Sequence, residues 1–298
     1  MSFFRQAQLP SGIVESSTPI SAVLALGSAL LIAFVGFGAN PAWAKDPFRT
    51  GSNARQISTE VSDAFEEFFC AGRYSQSRTK LEAALQASPQ EPMVYALLAA
   101  LAYQEGDLED YAQLATQTRE VAVQLKATDP LRGNLYEGVG YGLEAASIVI
   151  KDGVVIGLPK ALPTLNQLFA SIRAAQAVDP EDPELNLLNG YMDLLLTYRD
   201  KALDQFQNSA PSYMAYRGQA LAYRDLDQYP EALAAVDAAI KASCNNPELY
   251  YLKAQILVHQ GNRTEAVQLF DQALAAAEQL PPQLVTQIQR ERESAATP

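Results

Sequence analysis

The chain repeats itself at an interval of 34 residues, and no other feature constrains its fold as tightly. Residues 216–240 align with residues 250–274. Tyr216 falls on Tyr250, Ala220 on Ala254 and Ala232 on Ala266. Val236 then meets Phe270, Ala239 meets Ala273 and Ile240 meets Leu274. Near the other end, Gly72 and Gly106 stand the same 34 residues apart. A unit this short, with two helix-length segments around a turn, cannot bury its own apolar side. It must stack on a copy of itself.

Each unit shares a grammar. An aromatic opens the first helix (Tyr95, Tyr216, Tyr250), and a glycine ends it (Gly72, Gly106, Gly261). A small residue follows early in the second helix (Ser77, Ala232, Ala266), with a large apolar residue four later (Leu81, Val236, Phe270). Ala84, Ala239 and Ala273 come next, and Pro89 marks the exit of the first unit. Alanines allow two helices to approach closely, and glycine accepts the left-handed turn that other side chains resist. These residues resemble the tetratricopeptide repeat. The likeness covers about 57–280 as five or six helix pairs. Asp227 stands where the turn glycine is expected, and Tyr111 and Thr118 where the second unit should have alanines. The second helix of that unit is expected to run on through Leu125.

The resemblance implies an all-α, right-handed superhelical solenoid of stacked antiparallel helix pairs. It implies a concave face, lined by the first helix of each pair, that receives an extended peptide or a helix of a partner protein. The family register puts Met93, Ala96, Ala100 and Tyr103 on that face in the second unit. Arg217, Leu221 and Arg224 fall there in the penultimate unit, and Tyr251, Gln255 and Val258 in the last. Tyrosine and arginine favour binding hot spots, which makes Tyr103, Arg217, Leu221, Arg224, Tyr251 and Gln255 the candidate partner-binding residues. The competing reading packs Tyr251 between repeats and pairs the arginines with local acids. The Lys, Arg and Asn set with which some members clamp a C-terminal carboxylate is missing, because the first unit offers Thr59, Ser62 and Glu66.

Between the clear units the pattern degenerates. Leu131, Leu135, Val139 and Leu143 keep a helical spacing, and residues 151–163, with Asp152-Gly153 and two prolines, read as an interrupting loop. A helix resumes over 164–178, a compressed pair follows over 185–207, and residues 281–298 suit a polar capping helix and tail.

Residues 1–44 read as a secretory signal. An apolar run over 20–37 is followed by Pro41 and the small-x-small triplet Ala42-Trp43-Ala44, and charge returns at Lys45-Asp46. Residues 45–56 then form a linker. Export to a periplasm or a thylakoid lumen is the expectation; an uncleaved N-terminal anchor in an inner membrane is the alternative. The net charge of −12 argues against nucleic acid and against a polybasic membrane-surface mode. Cys70 and Cys244 are the two cysteines, and the solenoid reading places them too far apart to bridge, hence unpaired.

No catalytic constellation emerges. His259, the one histidine, sits at a helix end two residues before Gly261, where it suits a C-terminal cap. No zinc spacing exists, and no cofactor motif is assigned. Asp179-Pro180-Glu181-Asp182-Pro183-Glu184 lacks the alternation of a calcium loop and reads as a solvated helix entry. Gly138, Gly140 and Gly142 lie within a helical pattern and read as close helix contacts, not as a phosphate cradle. A hydrolase or transferase site near 151–163 would have only Lys151, Asp152 and Lys160 to work with. The chain therefore reads as a scaffold, not an enzyme.

Overall fold

The computed structural model describes residues 46–297, so the apolar run and the cleavage triplet lie outside it. The described residues form thirteen α-helices and no strand. Six antiparallel pairs stack in order: α1 (Thr59–Phe65, prolonged by a π-turn to Cys70) with α2 (Tyr74–Ala87), α3 (Pro92–Glu105) with α4 (Leu108–Leu125), and α5 (Pro130–Asp152) with α6 (Val154–Gln176). Then come α7 (Pro183–Leu195) with α8 (Arg199–Gln207), α9 (Ser212–Asp225) with α10 (Tyr229–Ala242), and α11 (Pro247–His259) with α12 (Arg263–Leu274). A last helix, α13 (Pro282–Ala296), covers α12.

Two local devices, repeated along the chain, build the pairs. The first helix of a pair commonly starts with proline at its first position behind a side-chain cap. Glu91, Asp129, Asp182 and Asn246 each accept an amide of the turn that follows Pro92, Pro130, Pro183 and Pro247. The cap satisfies an orphan donor, and proline loses nothing where its amide would be unpaired anyway. The turn inside every pair pivots on one residue of positive φ: Gly72, Gly106, Gly153, Thr197, Asp227 and Gly261. Asp227 thus does the glycine's work at φ 58°.

The predicted loop over 151–163 is instead helix, broken only at Gly153. Pro159 and Pro163 each remove an amide from α6, but the freed carbonyls lie on an exposed side. Gly157 and Ala161 face the other way. A Cβ on Gly157 would stand 2.7 Å from the Val149 Cα, and Ala161 is fully buried against α5. Packing of α6 on α5 overrides the prolines' local preference.

The glycines of α5 are close-contact positions, as their helical setting suggests. A Cβ on Gly140 would meet the Arg119 Cβ at 2.6 Å and its backbone nitrogen at 2.7 Å. Gly140→Ala would gain about 1 kcal/mol of helix propensity but overfill a backbone contact that costs about 1–3 kcal/mol. A net loss is expected, read as a lower urea midpoint with an unchanged slope.

Candidate functional site

Charge is concentrated inside the solenoid. Residues 46–57 run across the capped starts of α3, α5 and α7, with Phe48 buried edge-on against Phe65 at 6.1 Å. From this strap Arg49 reaches Asp182 through two bonds, Nε to Oδ2 at 2.7 Å and Nη2 to Oδ1 at 2.6 Å, and Glu184 at 2.8 Å. Arg55 bridges Asp129 at 2.6 Å and Glu184 at 3.1 Å. On α5, Arg132 forks onto both oxygens of Glu91 at 2.8 and 2.9 Å and reaches Glu184 at 3.3 Å. The Tyr136 hydroxyl donates to Glu184 at 3.0 Å. Asp46 closes the strap by accepting the amides of Phe48, Arg49 and Arg55.

The helix caps explain why these groups meet. The first helices of neighbouring pairs run parallel, so their acidic N-terminal residues line up on one side. Unneutralised, those carboxylates would repel each other, and the strap supplies guanidinium groups whose planar forks match them. Glu184 is fully buried. Burial alone would raise its carboxyl, but Arg132, Arg49 and Arg55 outweigh that and bring it down to about 2. Asp182 is held above its usual value, because burial is only partly offset by Arg49. The helix entry at 179–184 is solvated only over its first half, where Asp179, Pro180 and Glu181 are exposed. Asp182 and Glu184 are among the most buried acids of the described residues.

A second constellation joins the two ends of the stack. Cys70, after α1, is disulfide-bonded to Cys244, before α11. The unpaired reading of these cysteines is corrected, because the stack curves until its first pair meets its fifth and sixth. The Cys244 amide donates to the Cys70 carbonyl at 3.0 Å, and the Asn246 side chain to the Phe69 carbonyl at 2.9 Å. The Tyr74 hydroxyl bonds Glu248, and the Ser75 hydroxyl reaches the Glu278 carbonyl at 3.3 Å. Gly72 is required twice. It takes a φ of 65°, and a Cβ there would stand 2.5 Å from Asn246 Oδ1.

The sequence-derived candidates are all engaged within the chain. Arg217 pairs with Glu248 at 3.2 Å beside a cavity of about 30 Å³, room for roughly one water. Arg224 pairs with Asp225 at 2.8 Å and bonds Gln255 at 3.1 Å. Tyr251 is buried and donates to Glu291 of α13 at 2.7 Å; Gln255 donates to the same carboxylate at 2.9 Å. Tyr103 leans on Tyr111 with ring centroids 5.8 Å apart, and Leu221 packs against the core. The structure joins Arg224, Tyr251 and Gln255 through α13, sets Arg217 at the seam, and leaves Tyr103 apart. His259 ends α11 and stacks on Tyr229 at 5.8 Å.

Residues 63–119 and 201–281 match the family model of the tetratricopeptide repeat. Those two segments are similar to tetratricopeptide repeats. The matched segments hold the first two pairs and the last two, where the 34-residue interval is also clearest. Among solved structures, the chain is similar to the APC/C hetero-tetramer Cut9–Hcn1, with 15% identity and a TM-score of 0.39 over 80% of this chain and 55% of that one. It therefore spans little more than half of that relative. A tetratricopeptide repeat protein from Parabacteroides merdae shares 15% identity, with a TM-score of 0.41 over 75% of this chain and 93% of the other. The TPR2AB domain of yeast Sti1, solved with a pHSP90 partner, shares 18% identity, with a TM-score of 0.37 over 79% and 99%. No curated protein sequence matches the chain. Tetratricopeptide repeats are in general scaffolds for protein–protein interaction, without catalysis of their own.

Proposed function

We propose that this chain is an exported tetratricopeptide scaffold that binds a protein partner, as an assembly factor would, and catalyses no reaction. The observation that carries the export is the Cys70–Cys244 bond. A structural disulfide persists in oxidising compartments and is rare where glutathione keeps thiols reduced. The signal-like segment 1–44 agrees with it, with cleavage after Ala44 freeing Lys45 just ahead of the strap. A periplasm or a thylakoid lumen is the compartment proposed; an inner-membrane anchor built from 20–37 is the alternative. No helix among the described residues is long and apolar enough to cross a membrane.

Glu248 at the seam and Glu291 of α13 already engage Arg217, Tyr251 and Gln255 of the candidate groove. Arg217 and Tyr251 serve a partner only after Glu248 and Glu291 let go of them, so the closed solenoid offers its outer faces first. Fractionation of source cells with thiol trapping tests the reading. The expected result is a chain beginning at Lys45, without a reactive thiol, that cross-links into a discrete heteromeric adduct. A full-length cytosolic chain with two free thiols would overturn the export, and a chain that cross-links to nothing would overturn the scaffold.

A further inference from the structure

We infer that the outer face of α6 docks an amphipathic helix of the partner protein, one whose apolar stripe is bordered by acidic residues. The inference rests on the scaffold reading above and assigns that partner a place and a chemistry.

The first ground is a gap in the stack. The second helices of the other pairs are all covered by the helix that follows: α2 by α3, α4 by α5, α8 by α9, α10 by α11 and α12 by α13. Only α6 makes no comparable packing with its successor, α7. Its 23 residues, about 34 Å of helix, also outrun the 13 of α7. A stretch of α6 therefore lacks the neighbour that its counterparts have.

The second ground is what that stretch exposes. Val155 is 88% exposed, Ile156 57% and Leu162 52%, with Leu158 partly open beside them. At 100° per residue, Leu158, Leu162, Val155, Pro159 and Ile156 fall in order on one side of the helix. The buried Gly157 and Ala161 face α5. Isolated exposed apolar residues need no explanation, but a stripe along about two helical turns marks an interaction surface. A helix laid along it would meet anchors at i, i+3, i+4 and i+7 spacing.

Charge selects the kind of helix. The chain carries 34 acidic residues, yet none lies between Asp152 and Asp179. Lys160, itself paired with Asp152 at 2.6 Å, borders the stripe, and Arg173 continues it. An acidic helix would be repelled over much of this protein and is not repelled here. That complementarity favours an acidic-bordered helix over a second copy of the whole chain.

Photo-cross-linking in source cells tests the place. Benzoylphenylalanine would be introduced into the full chain at Val155 or Leu162, and at exposed controls Gln113 on α4 and Gln268 on α12. A protein adduct at the two α6 positions and none at the controls is expected. Adducts at the controls alone would sink the α6 site and leave the scaffold reading standing; adducts nowhere would sink that reading itself. An adduct of twice the chain's mass, or one with lipid, would replace the partner helix by a second copy or a membrane surface. The chemistry is tested with the purified chain and a synthetic 18-residue helix carrying a leucine stripe. The version bordered by glutamate is expected to bind at least tenfold more tightly than the version bordered by lysine. V155D/L162D, which alters exposed positions only, should lose that tenfold while keeping the wild-type urea midpoint. Equal affinity of the two peptides, or binding of neither, would overturn the assignment.

Discussion

Arg132→Ala is expected to destabilise the chain by about 3–5 kcal/mol, the cost of stranding a buried carboxylate. The side chain is buried and holds Glu91 with two bonds, while its Nε faces Glu184. Its removal leaves Glu91 with only a backbone contact to the Met93 amide at 3.3 Å and strips Glu184 of one of three cations. Arg132→Lys restores charge without the fork, so it should recover only part of the loss. The pH dependence distinguishes a lost ion pair from a lost volume. The carboxyl of Glu184 lies near 2 in the folded chain, against 4.5 when unperturbed. A depressed carboxyl contributes stability that is complete above its unfolded value and disappears as pH falls through its folded one. Wild type should therefore weaken between pH 4.5 and about 2. Asp182 acts in the opposite sense, since its folded value is raised, and it softens this acid loss. With one of its cations gone, Glu184 is depressed less in the variant. The gap in urea midpoint between the two proteins should narrow over that window. A gap that stays constant with pH would assign the loss to packing.

This cluster was hidden from a reading of the sequence, while the solenoid around it was not. The repeat is written at a constant interval, so Ala232 and Ala266 or Val236 and Phe270 announce each other. The turn positions were legible through Gly72, Gly106 and Gly261, and Asp227 took the same left-handed turn in the same register. Arg49, Arg55, Arg132 and Glu184 follow no such period. They are spread over 135 residues and meet only because parallel first helices bring their capped ends to one side. The acid-Pro steps Glu91-Pro92, Asp129-Pro130 and Asp182-Pro183 carried the signal, each marking a helix start. Three such starts in parallel demand three cations. The helical state of α6 is hidden in the sequence for a different reason. Pro159 and Pro163 are breakers by local chemistry, and the packing of Gly157 and Ala161 on α5 keeps the segment helical. The candidate groove was legible as a register but not as a surface, because curvature and the partners Glu248 and Glu291 belong to tertiary structure.

Curvature also decides the largest effect expected of any covalent change. The Cys70–Cys244 bond ties positions 174 residues apart, and in the chain-entropy picture a loop of that length contributes about 5 kcal/mol by restricting the unfolded chain. A solenoid depends on its ends more than a globule does, since each pair is supported only by its neighbours and terminal pairs fray first. Here the first pair and the last two support one another across the seam, so the bond removes two frayed ends at once. A reductant has access, because Cys244 is exposed while Cys70 is buried, and thiolate attack is directed to the open sulfur. C70S/C244S, or wild type in excess dithiol, is expected to lose about 4–5 kcal/mol in urea. Hydrogen exchange should accelerate first at 66–75 and 243–250, where the non-covalent contacts of Asn246, Tyr74 and Ser75 would be left to hold the seam. The strap's ion pairs and α3 to α7 should keep their protection, since Arg49, Arg55 and Arg132 hold them independently of the bond. Equal urea midpoints with and without dithiol would mean that the seam's hydrogen bonds close the solenoid unaided, and the bond would then be a consequence of the curvature and not its support.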